Sequence, residues 1–218
     1  MVTRPVTALL QAAAIGRVIV LAQQPNRIES VLPDDERLSV ASSAGTIAAT
    51  LESILADSST QYPLLITTAD HALLDPAMIA DFCGKAEGAD VAVGLVERRS
   101  LTARLPATQR TWLKFRGGAY SGANLYAFGS DRAAKAVSLW RSVEQDRKKG
   151  WRMIAALGPT VLLGAALRIR SLEQILAALS KRTGISIRKV ELSNPLAAVD
   201  VDKDVDHALV TAILEGRA

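Results

Sequence analysis

Apolar positions fall at two spacings along this chain, one helical and one continuous, and the two take turns. Val6, Leu9, Leu10 and Ala13 recur at helical intervals and predict a helix over Pro5–Ala14; Gly16 stops it, and Arg17–Leu21 reads as a buried strand. Gln23–Val40, with Pro25, Pro33 and the acidic run Asp34–Glu36, reads as loop, and Ser42–Thr46 leads into the helical pattern Ile47, Leu51, Ile54, Leu55. Tyr62–Thr68 has the unbroken apolar and β-branched character of an interior strand. Asp75 and Pro76 then supply an N-cap and a first-turn proline for a helix through Cys83.

Ala89–Val96 predicts the next strand and Arg98–Arg110 a polar connection, while Trp112–Phe115 and Asn124–Phe128 predict strands about the turn Gly117–Gly118. Asp131–Arg147 is helical in pattern, as is Trp151–Leu179 apart from an interruption at Gly158–Pro159. After the break at Thr183–Gly184, Ile185–Leu192 reads as a strand and Asn194–Pro195 as a turn. Ala197–Val201 reads as a short strand, and Asp204–Glu215 as a helix with Val205, Leu209, Val210 and Ile213 facing inward.

Strands alternating with helices predict an α/β fold of three layers, a mostly parallel sheet with helices on both faces. The hairpin-like piece from Trp112 to Phe128 adds one antiparallel element. The pattern is that of a single domain over 1–218 with a helical insertion at about 131–182. In such sheets ligands gather at the carboxyl ends of the strands.

Composition narrows the class. With 49% apolar, 4% aromatic and 22% charged residues, the 218-residue chain can bury a large aliphatic core and is not disordered. Its 26 cations against 22 anions leave +4, which does not call for a nucleic-acid partner. The single cysteine, Cys83, excludes an internal disulfide and a thiolate metal cluster and reads as a buried thiol. No run approaches the roughly 20 apolar residues of a membrane span, and a cytoplasmic protein is expected.

The chemistry lies in carboxylates. Asp70 follows the interior strand, where it either points into a ligand crevice or serves a turn. Asp75 reads as a cap. Asp200 and Asp202 share a face if the last strand continues through them, and such a pair can hold a hard cation; Asp204 and Asp206 suit the start of a helix. Magnesium, which takes oxygen ligands and often only one or two carboxylates, would be satisfied by Asp70 with Asp200 or Asp202. His71 and His207 suggest neither zinc nor a nucleophilic triad.

Three stretches, Pro63–Leu74, Ser121–Phe128 and Val199–Asp206, resemble nucleotidyltransferases of the molybdenum-cofactor guanylyltransferase and CMP-sugar synthetase type, in the same order over roughly residues 5 to 214. The resemblance implies a nucleotide-diphospho-sugar transferase-like fold and magnesium-dependent nucleotidyl transfer from an NTP to a phosphate or hydroxyl acceptor, with pyrophosphate released. It implies that Asp70 and Asp202, with Asp200 as a further candidate, hold magnesium and carry catalysis. Gly45 and Thr46 resemble the small-residue turn that touches the nucleotide. Ser121, Gly122 and Asn124 resemble the stretch lining the acceptor, with Lys114 and Arg116 on the neighbouring strand as phosphate contacts.

The family opens with a strand and a glycine-rich phosphate loop, and neither is found before Pro5, so a sheet lacking its first strand is expected. Two other readings stay open: a degenerate nucleotidyltransferase-like binding or scaffold module, and a glycosyltransferase on the same fold. The expected partners are an NTP and a small-molecule or lipid-linked acceptor. The uncharged run Met153–Leu167, flanked by basic residues, reads as a peripheral membrane contact or as a core or dimer-forming helical pair that would make a homo-oligomer.

Overall fold

The computed structural model describes residues 1–106, 108, 110–145 and 169–217. Helix α1 (Thr3–Gln11) leads to strand β1 (Val18–Ala22), the short helix α2 (Asn26–Glu29), β2 (Leu38–Ser42), α3 (Ile47–Ala56) and β3 (Leu64–Thr67). Then come α4 (Pro76–Ala86), β4 (Val91–Glu97), α5 (Arg98–Arg104), β5 (Leu113–Phe115) and β6 (Gly118–Phe128). Next are α6 (Ala134–Gln145), α7 (Leu172–Thr183), β7 (Ile187–Glu191) and α8 (Asp204–Leu214), with 3-10 turns at Asp131–Ala133 and Pro195–Ala198. The centre of the expected insertion, including Met153–Leu167, lies outside the described residues. Among the described residues no helix is long and apolar enough to cross a membrane.

Several details depart from the sequence pattern: β1, expected buried, leaves Ile19 and Leu21 exposed, β3 lies at a sheet edge rather than inside, and β6 begins at Gly118 rather than Asn124. The polar connection after β4 begins as helix α5, because Leu101 and Leu105, one helical turn apart, are both buried. The loop expected to run to Val40 ends earlier, where Leu38 starts β2. Ala197–Val201 is no strand: Asn194 accepts a hydrogen bond from the Leu196 N–H at 3.0 Å and starts a 3-10 turn with Pro195 in first place. Val205, expected inside, is 78% exposed, and α8 buries Val210 instead. Cys83 is half-buried rather than enclosed.

The strands form two sheets. β1 and β2 pair parallel, Val18 opposite Leu38 and Ala22 opposite Ser42. The second sheet runs β3-β6-β4-β7, with β5 also on β6. β4 and β7 are parallel, and β6 runs against β3, β4 and β5, which is the expected antiparallel element. β1 and β3 share no ladder, so each keeps one edge unpaired among the described residues.

Alternation along β4 sorts the core into layers. Ala92 and Val96 face one side, in a cluster with α1, α4, α5 and α8 residues such as Ala8, Met78, Ile79, Phe82, Leu101 and Val210. Val91 faces the other, with Leu51 and Leu55 of α3, Val137 of α6 and Phe128. Helices therefore cover both faces, and the three-layer α/β arrangement holds.

One close approach positions the site. Between Val93 and Leu95 the ladder of β4 slips against β6: Val93 pairs with Tyr126, but Leu95 pairs with Gly122. This β-bulge places Asn124 at a φ of 48°, a left-handed backbone that asparagine tolerates better than most side chains. Gly94 faces the bulge, where an added Cβ would stand 3.0 Å from Leu125 Cβ and 3.1 Å from the Leu125 carbonyl oxygen. Gly94→Ala is expected to destabilise the fold by about 1–3 kcal/mol, the usual range for overpacking. Urea unfolding measures it, and an unchanged midpoint would show that β6 yields freely there.

Candidate functional site

The carboxyl end of β3 meets the segment that follows the 195–198 turn. Beyond Thr67 the chain bends at once: the Ala72 N–H donates to the Asp70 carbonyl at 2.9 Å and the His71 N–H to Thr68 at 3.3 Å. The Asp70 carbonyl also accepts from the Val201 N–H at 3.1 Å, which ties two distant stretches together. Burial of Ala197, Ala198 and Val199 holds the second stretch in place. As a result one carboxylate oxygen from each of Asp70, Asp200 and Asp202 lies within 4.8 Å of the others.

Each carboxylate has its own surroundings. Asp70 accepts a short hydrogen bond from the Thr68 hydroxyl. Asp200 accepts from the Arg110 guanidinium on one oxygen and from Asn124 Nδ2, at 3.0 Å, on the other. Asp202 is exposed, and its carboxyl is held above the ordinary range, first by the charge of Asp200, then by burial, Asp70 and Asp206, with Arg110 opposing. A carboxylate pair at this spacing repels by about 1 kcal/mol in full solvent and about 3 kcal/mol at an effective dielectric near 20. A cation at the centre relieves that repulsion, and three oxygen donors this close together suit a hard divalent ion.

Two groups escaped the sequence reading. Arg110 bridges Asp200 and Asp206, whose nearest oxygen is 3.5 Å away, yet its partners lie 90 and 96 residues along the chain. His71, whose side chain is 1% exposed, sets Nδ1 3.3 Å from the Thr67 hydroxyl, and burial pushes its pKa down to about 4 against the pull of Asp200, Asp70, the Ala197 backbone and Asp75. An arginine in a polar run and a histidine after a strand carry no signal of either contact.

The remaining candidates spread outward. Asn124 is in the cluster, while Ser121, buried, and Gly122, exposed, sit on the same strand opposite Val96 and Leu95. Lys114 on β5 and Arg116 in the turn after it are exposed. Gly45, at a φ of 97°, and Thr46, whose hydroxyl accepts from the Ala49 N–H at 3.3 Å, start α3 next to the two-stranded sheet. Asp75 caps α4 by accepting from the Met78 N–H at 2.7 Å, and Asp206 accepts from the Lys203 N–H at 3.0 Å at the start of α8, as their positions suggest. Concavities of about 280 Å³ beside Arg4 and Asp75 and about 560 Å³ beside Tyr62 and Asp131 are lined by none of the three carboxylates Asp70, Asp200 and Asp202.

The chain is similar in fold to several solved structures. A hypothetical transferase from Thermus thermophilus is 27% identical, with a TM-score of 0.79 over 94% of this chain and 85% of that one. A 4-diphosphocytidyl-2C-methyl-D-erythritol synthase from Anaerococcus prevotii has a TM-score of 0.60 at 8% identity, over 98% of this chain and 85% of that one. A CMP:2-keto-3-deoxy-manno-octonic acid synthetase, solved with CTP, also has a TM-score of 0.60, at 13% identity over 100% of this chain and 88% of that one. No family model and no curated protein matches the chain. The fold is thus nucleotidyltransferase-like, as the three quoted stretches imply; the first of these neighbours is described as a transferase, and the other two are a synthase and a synthetase named for diphosphocytidyl and CMP products.

Proposed function

We propose, from a nucleotidyltransferase-like fold with three carboxylates at the end of β3, that this chain is a magnesium-dependent nucleotidyltransferase. The observation that carries the reading is the convergence of Asp70, Asp200 and Asp202 within 4.8 Å. An oxygen of the acceptor's phosphate or hydroxyl attacks the α-phosphorus of an NTP, the α–β phosphoanhydride bond breaks, and pyrophosphate leaves with its electron pair; a hydroxyl acceptor gives its proton to solvent. Magnesium, when bound, supplies positive charge against the phosphate oxygens.

The chain's own residues hold and orient. Among the described residues no cation pairs with Asp70 or Asp202, and these two are the ligands we assign, with Asp200 beside them. Ser121, Gly122 and Asn124 line the acceptor side along β6, Lys114 meets an acceptor phosphate from β5, and Gly45 and Thr46 approach the nucleotide at the start of α3.

The protein with magnesium, each of the four NTPs and a panel of phosphorylated and hydroxyl acceptors is expected to release pyrophosphate in step with a nucleotidylated product. Release of nucleoside diphosphate from nucleotide sugars instead would identify a glycosyltransferase. Nucleotide binding with neither release would leave a binding module, the reading favoured by the separation of β1 and β2 from the main sheet.

A further inference from the structure

The acid cluster already contains a cation of the chain's own. The Arg110 guanidinium pairs with Asp200, reaches Asp206 at 3.5 Å, and donates through Nη2 to the Asp200 carbonyl at 3.1 Å. Its side chain is 9% exposed, and its Nε–H finds no acceptor among the described residues. A buried guanidinium with an idle donor is held by charge more than by a complete set of hydrogen bonds. Asn124, aimed by the bulge opposite Gly94, takes the other oxygen of Asp200.

We propose that Arg110 is a resident counter-cation that competes with an incoming divalent ion for Asp200. Without metal it offsets part of the repulsion among Asp70, Asp200, Asp202 and Asp206. With metal it stands on the same carboxylate, repels the new charge and leaves Asp200 fewer lone pairs to offer. The free cation is therefore bound weakly, and it enters better as a complex with an anionic polyphosphate, whose charge satisfies metal and guanidinium together. This rests on the reading that the cluster takes a divalent cation, and it adds a positioning residue that sets how tightly.

A purely scaffolding arginine and a competing one differ in sign. If Arg110 only braced the loop, removing it would loosen the ligands and weaken metal binding. A competitor, once removed, tightens it. Manganese binding to the nucleotide-free protein, followed by the electron-spin signal of the unbound ion, reads the difference directly. Arg110→Gln is expected to bind Mn²⁺ about tenfold more tightly than the parent, and Arg110→Lys, which keeps the charge, within about threefold of it. Arg110→Met, whose stem fills the same space, repeats the measurement if the glutamine variant does not fold. Unchanged or weaker binding in the folded Gln or Met variant would overturn the inference while leaving the metal site standing. If neither the parent nor any variant binds Mn²⁺, the metal site itself is overturned and the inference falls with it.

Discussion

Asp70→Asn and Asp202→Asn, made singly, are expected to lower magnesium-dependent transfer by about a hundred- to a thousand-fold, the usual cost of removing one well-placed electrostatic group from a reacting centre. Both should fold. The side-chain amide oxygen introduced by Asp70→Asn would still accept from the Thr68 hydroxyl, and the Val201 contact runs through the backbone carbonyl of Asp70, which the substitution does not touch. Asp202→Asn should even raise the unfolding midpoint of the metal-free protein. The Asp202 carboxyl is held above its ordinary range, so the folded state keeps that proton more tightly than the unfolded chain. Its ionised form therefore costs stability once the pH has risen through the folded pKa, and a neutral amide removes that cost. Asp75→Asn serves as the control, because asparagine caps a helix as well as aspartate does and the activity should stay close to the parent's. Full activity in both cluster variants would remove the carboxylates from the mechanism; activity lost with the fold would say nothing for catalysis, which is why thermal unfolding accompanies each assay.

The second large effect is in stability. His71 is buried beside the cluster and its pKa is lowered to about 4 from an ordinary 6.5. A group whose folded pKa is depressed is protonated first in the unfolded chain, so stability is lost as pH falls from about 6.5 towards 4 and is fully present above that window. Each unit of pKa shift corresponds to about 1.4 kcal/mol, which puts the loss from this one residue near 3 kcal/mol. Urea unfolding at several pH values between 7.5 and 4 should show the decline, and His71→Gln, which cannot take up the proton, should flatten it. Parallel profiles for the two proteins would assign the acid sensitivity to other groups.

Local chemistry made much of this legible beforehand. The apolar run before Asp70 marked a strand, although β3 lies at the edge of its sheet and half-buried rather than in the interior, and Asp75 with Pro76 fixed the start of α4. Asp206 in the first turn of α8 was equally plain, since a cap acts within three or four residues. What stayed hidden depends on distance in the chain. Arg110 finds its meaning in Asp200, and in sequence it was one arginine among several after β4. α5 was obscured by its arginines, although Leu101 and Leu105 carry the helical spacing that decides it. The stretch Ala197–Val201 has the composition of a strand, but Asn194 and Pro195 commit it to a tight turn, and that turn, not a shared strand face, is what delivers Asp200 and Asp202 to Asp70. The slip between β4 and β6 that aims Asn124 is a register property and has no counterpart in a linear pattern, apart from the glycine at position 94 that permits it.

The division of the strands into two sheets sets where thermal motion can go. β4 and β6 are laddered on both sides, and the stretches that bear Asp70, Asp200 and Asn124 are anchored to them, whereas among the described residues β1 has the ladder of one neighbour, with Ile19 and Leu21 facing solvent. Opening of the β1–β2 pair therefore breaks one ladder without breaking those of the main sheet, and amide hydrogen exchange is expected to be faster in Val18–Ala22 than in β4 and β6. The carboxylates are carried by stretches tied to the main sheet, so their spacing is expected to be insulated from fluctuations of the turn at Gly45 and Thr46.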